Sequence, residues 1–141
     1  MRGRILRNEY IKETGYTIVE KATQYGSFIG EAQVHPHDKD IATAWDGYNF
    51  AEMKCDIAAA KEKAKWMRQR AIGAEHALKT LDYMGTNDPE TLDNLARQVY
   101  AMHKEADKYK EIYEEMRDSY PAYTQVILDR RRQLREKVQN N

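Results

Sequence analysis

The chain has 141 residues, with 23 Lys and Arg against 23 Asp and Glu, so its formal net charge is zero. That balance argues against a polyanion mimic and against a generally basic nucleic-acid coat. Charged residues reach 33% and the mean hydropathy is −0.91, so apolar side chains are scarce and must be well placed to build the core of the one domain, 1–141, that this length suits.

No apolar run approaches the ~18–20 residues of a membrane span, so no membrane association is expected. Met1 to Tyr10 carries charges but no apolar h-region, and a secretory signal is not expected either. The one cysteine, Cys55, cannot close an internal disulfide, which fits a reducing cytoplasm. Ten tyrosines stand against two phenylalanines, a skew towards side chains that suit half-buried or contacting surfaces.

The first subregion, 1–47, reads as a β-hairpin and loop. Tyr16 to Ala22 is β-branched and alternates, with Thr17, Val19 and Lys21 on one face and Ile18 and Glu20 on the other. Gln24 to Ser27 supplies a turn, and Phe28 to Val34 returns with Phe28, Gly30, Ala32 and Val34 on one face. Arg4 to Ile11 is expected to add a third strand or an ordered arm. A bare two-stranded hairpin is marginal in water, so the sheet should lean on another element. From His35 to Gly47 the sequence reads as irregular.

The pattern then changes to a helical hairpin over 48–118. Phe50, Met53, Ile57, Ala60, Ala64, Met67, Ala71, Ala74, Leu78 and Leu81 fall at alternating spacings of three and four. Leu92, Leu95, Val99, Met102, Ala106, Tyr109, Tyr113 and Met116 do the same, with no polar residue in either series. At 1.5 Å per residue the two series span roughly 47 and 36 Å. Between them Gly85 suits a helix C′ position, Asp88 an N-cap and Pro89 the first helical position. A loop this short predicts an antiparallel coiled-coil hairpin.

Ser119-Tyr120-Pro121 reads as the end of the second helix, with a shorter third helix from Pro121 to about Val138 in a C-terminal subregion, 119–141, that ends in a basic tail. The predicted class is therefore mainly α within α+β. The first long helix has further apolar residues outside its seam (Ala51, Ala58, Ala59, Trp66 and Ile72). It should be central, covered on its other side by the hairpin, the third helix or, in a homodimer, a second chain.

His35-Pro36-His37-Asp38-Lys39-Asp40 holds the residue types of a metal site, but nothing else in the sequence completes one. The plainer reading is a polar loop whose aspartates cap turns, and no metal or cofactor is expected. Cys55 lies inside a helix with no assured base, and no nucleotide-binding or nucleophile-elbow motif occurs, so the chain is not expected to be an enzyme.

The charge pattern is more informative. Lys54, Lys61, Lys63, Arg68 and Arg70 flank the first seam, and Lys110 and Arg117 flank the second. In an antiparallel pair Lys54, Lys61 and Arg68 should share an edge with Lys110 and Arg117. Like charges gain nothing there, so the ridge asks for something negative: Asp129 or Glu136 of this chain, an acidic partner, or a phosphate backbone. Arg130, Arg131, Arg132 and Arg135 add a basic tail of the kind that meets phosphates. The candidate partner-binding residues are Tyr25, Trp45, Tyr48, Lys54, Lys61, Lys63, Trp66, Arg68 and Arg70, the aromatics as anchors and the cations as electrostatic register. The alternative, a nucleic-acid binder of phage DNA metabolism, would use Lys110, Arg117, Arg130, Arg131, Arg132 and Arg135.

The run Gly30-Glu31-Ala32-Gln33-Val34-His35-Pro36-His37-Asp38-Lys39-Asp40, followed by Gly47 and Ala51-Glu52, resembles small accessory proteins, of no known activity, from Firmicute bacteriophages and prophages. The resemblance covers about a fifth of the chain. It implies a phage protein working in the cytoplasm of a bacterial host, and proteins of that kind and size often bind and block a host machine. The expected function is accordingly a non-enzymatic inhibitor, anti-CRISPR or similar, that occludes a host protein or nucleoprotein complex.

Overall fold

In the computed structural model, residues 3–34, 44–85 and 88–140 are described. The element order is β1 (Arg4–Ile11), β2 (Tyr16–Thr23), β3 (Gly26–Gln33), α1 (Ala44–Met84) and α2 (Pro89–Asn140). The α+β class holds, with Arg4–Ile11 as a third strand. Among the described residues no helix is long and apolar enough to cross a membrane.

The strands form one antiparallel sheet in the order β1-β2-β3. Both turns need glycine: Gly15 has φ +69° and Gly26 φ +125°, where a Cβ is strained. Along β2 the burial alternates strictly from Tyr16 to Lys21, with Thr17, Val19 and Lys21 buried. Their partners on β3 are Ala32, Gly30 and Phe28, so period-2 patterning places six residues on one face. That face meets α1.

The chain divides into two compact units, 1–59 with 115–141, and 60–114. In the first, Val19, Ala32, Ala51 and Cys55 form the buried core, with Phe28, Tyr48 and Phe50 against it. In the second, Ala60, Ala64, Ala71 and Ala106 are buried, and α1 and α2 run antiparallel: Lys63 lies over the Tyr109 ring at 4.0 Å, and Arg68 meets His103 and Asp107. Every seam position of both long helices is buried or half-buried. The punctuation is as expected. Gly85 sits at φ +65° after α1, and Asp88 Oδ1 accepts from the Thr91 amide at 2.8 Å, which holds the Asp88 carboxyl below its ordinary range.

Two boundaries differ from the sequence reading. First, α2 runs unbroken from Pro89 to Asn140 with Pro121 inside it, so there is no separate C-terminal helix. Pro121 removes one amide donor to the Arg117 carbonyl. Against that loss Tyr120, Thr124 and Leu128 line one cavity with Phe50 of α1, which ties both sides of the proline to the same neighbour. Second, α1 starts at Ala44, ahead of the expected 48, and takes in Trp45, Asp46 and Gly47. Gly47 belongs in this turn because a Cβ there would stand 3.2 Å from Thr17 Cβ and overlap the Thr17 hydroxyl. Close approach to the sheet overrides its poor helix propensity. His35, His37 and the rest of 35–43 lie outside the described residues.

Candidate functional site

In the first unit the inner face of the sheet carries a buried cation. Lys21, on β2, is 5% exposed, and its Nζ lies 2.9 Å from Asp56 Oδ1 and 3.7 Å from Glu52 Oε1. Glu52 and Asp56 are one helical turn apart on α1, so both reach the same ammonium. The Tyr48 hydroxyl donates to Glu52, and that hydrogen bond, with partial burial, pushes the phenol up to about 12. Trp45 stacks on Tyr48 with ring centroids 5.7 Å apart and remains 63% exposed. The series Lys21, Glu52, Tyr48, Trp45 thus runs from a buried ion pair to a surface indole. The sequence signals for it were the period-2 placement of Lys21 and the i, i+4 spacing of the two carboxylates.

On another side of α1, Lys54 Nζ donates to the Glu31 carbonyl at 2.5 Å and lies 5.8 Å from the Tyr120 ring centre. A cavity of about 170 Å³ there is lined by Gln33, Asp46, Phe50, Lys54, Tyr120 and Thr124, among others. It falls below the volume of usual small-molecule pockets. Asp46 is 3% exposed, sits in the first turn of α1 and pairs with Arg131 at 3.6 Å. Carboxylates near a helix N-terminus are favoured by the helix dipole. Burial raises the Tyr120 phenol.

The other candidate cations are distributed as follows. Arg117 pairs with Asp118 at 2.9 Å, Arg132 with Asp129 at 3.2 Å, and Arg130 and Arg135 are exposed on α2. In the second unit Arg68 binds Asp107 and His103 Nδ1, and His103 Nε2 lies 3.2 Å from Glu75. Since an arginine only donates, the His103 Nδ1 facing it accepts, and Nε2–H donates to Glu75. Lys110 reaches Glu114 at 4.0 Å, Lys61 and Arg70 are exposed, and Trp66 is 51% exposed. Tyr25, at the β2–β3 turn, is half-buried and its hydroxyl accepts from Gln24 at 2.6 Å. Of the cations expected on one edge, Arg68, Lys110 and Arg117 each pair with a carboxylate of this chain, and the sequence reading did not foresee the Arg68–Asp107 pair.

Cys55 is buried at the sheet–helix contact, its one S–H shared between the Val19 and Phe28 carbonyls, with Sγ 3.3 and 3.4 Å from their oxygens. Burial pushes the thiol up, with Asp56 adding to the effect. We expect no modification of the folded protein by a thiol reagent at pH 8, and stoichiometric modification in denaturant. Fast labelling without denaturant would contradict this packing. Among the described residues no group of three or more His, Cys, Asp or Glu could hold a metal ion. Comparison with protein families, curated proteins and solved structures found no match.

Proposed function

We propose that the chain is a non-enzymatic binding protein that acts by occupying a partner's surface, with Trp45 as its principal anchor. The observation that carries this reading is the exposed Trp45 indole stacked on Tyr48, which is in turn tied to Glu52. An aromatic side chain already ordered before contact loses little entropy on binding, which is the condition under which tryptophans dominate interface energetics. The phage-type inhibitor of a host defence complex implied by the short resemblance is the specific form we propose for that activity.

The nucleic-acid alternative draws less support. Of the six cations this alternative would use, Lys110, Arg117, Arg131 and Arg132 each have a carboxylate of this chain within 4.0 Å, and phosphate contact would compete with those pairs. One experiment addresses both readings: affinity capture from a bacterial host lysate with the wild-type chain and with Trp45→Ala. The binding reading expects a protein captured by wild type, resistant to nuclease, and depleted about tenfold or more by the substitution, as for a central aromatic anchor. Capture abolished by nuclease and indifferent to Trp45→Ala would favour the nucleic-acid reading instead.

A further inference from the structure

We propose that β1 is a self-recognition edge: two copies of this chain pair their β1 strands antiparallel about a two-fold axis at Asn8, joining two three-stranded sheets into one of six. β1 lies at the edge of the sheet, and all of it except Tyr10 is exposed, including Ile5, Leu6 and Ile11. An edge strand presents a row of backbone donors and acceptors to any strand that fits, and natural edges are usually protected by like charges or bulges. This edge has a bulge between Ile5 and Arg7, but beyond the bulge it carries one charge of each sign, Arg7 and Glu9. They select a partner instead of repelling all.

The occupant follows from the register. In an antiparallel edge-to-edge dimer the two-fold is perpendicular to the sheet, and residues opposite one another share a face. An axis at Asn8 places Arg7 opposite the second copy's Glu9 and Leu6 opposite its Tyr10, with Asn8 facing Asn8. An axis at Arg7 or at Glu9 sets like charges directly against each other. So the segment Leu6-Arg7-Asn8-Glu9-Tyr10 is complementary to itself in one register. Arg7 and Glu9 already pair within the chain at 2.8 Å, both exposed, and Glu20 lies opposite Arg7 on β2. The bulge ends the complementary run at Leu6. This inference does not rest on the Trp45 reading.

The test is sedimentation equilibrium of the full chain with the variants Arg7→Glu and Glu9→Arg, each checked for native far-UV circular dichroism. We expect a wild-type dimer, weakened about tenfold or more by either substitution. Each variant alone repels itself, one carrying two carboxylates on that face and the other two guanidinium groups. An equimolar mixture of the two should therefore form a heterodimer, and the double variant should recover the homodimer. As a second measurement, Asn8→Cys should give a disulfide-linked dimer on mild oxidation, because facing residues at the two-fold lie within bridging distance. A monomeric wild type, a dimer indifferent to both substitutions, a mixture that stays monomeric, or no cross-link at position 8 would each overturn the proposal.

Discussion

Gly30→Ala should destabilise the first unit by about 3 kcal/mol, whereas the same substitution at Gly73 should stabilise the chain by about 1 kcal/mol. At Gly30, opposite Val19 in the middle of the inner face, a Cβ would overlap the Ala51 carbonyl oxygen, stand 2.9 Å from the Ala51 carbonyl carbon and 3.1 Å from Cys55 Sγ. Two of those three atoms belong to helix backbone and cannot rotate away. The only relief is to lift α1 from the sheet, which would open the contact formed by Val19, Ala32, Ala51 and Cys55. Because that core holds no large aliphatic side chain except Val19, it has little slack to redistribute. Gly73 lies inside α1 with no atom near the position of an added Cβ. There alanine only narrows the unfolded ensemble and improves helix propensity. Urea unfolding followed by circular dichroism would measure both, and equal effects at the two positions would show that α1 does not press on β3 at Gly30.

Much of this architecture was legible because it rests on periodicity. Thr17, Val19 and Lys21 are separated by two, and the seam residues from Phe50 to Leu81 and from Leu92 to Met116 by three and four; their burial follows those periods. Capping was legible for the same local reason, since Asp88 and Gly85 act within a few residues of themselves. What escaped depends on contacts distant in sequence. Pro121 carries a local cost that reads as a helix end, and nothing local reveals that Tyr120 and Thr124 share a cavity with Phe50, some 70 residues away. Trp45-Asp46-Gly47 has the composition of a turn and becomes helix because Gly47 fits against Thr17 and Asp46 meets Arg131. The basic edge misled in a different way. Heptad positions show which residues flank a seam, but the axial stagger between two helices decides which of them meet, and it sets Arg68 beside Asp107 and His103.

Lys21→Met should cost about 3 kcal/mol, the second large effect we expect, and a companion substitution should recover part of it. Removing one member of a buried ion pair is expensive chiefly because the other charge is left unpaired. Here it leaves two carboxylates, Glu52 and Asp56, one turn apart on α1, with side chains 29% and 20% exposed. Water reaches them in part, so the cost belongs at the lower end of the range for buried pairs. Methionine keeps most of the lysine's apolar stem, which limits the cavity contribution. Asp56→Asn alone should cost about 1 kcal/mol, since Lys21 keeps Glu52 and the amide still accepts a hydrogen bond. Combined with Lys21→Met it removes one of the two stranded charges, so the double variant should be more stable than Lys21→Met by itself. Additive losses in that cycle would mean that Lys21 and Asp56 act independently. Neither substitution changes Tyr48 or the Glu52 carboxylate it donates to, so the Trp45–Tyr48 stack should persist. On the proposed binding reading, Lys21→Met should then keep partner capture wherever it remains folded, because the buried ammonium offers no contact surface of its own.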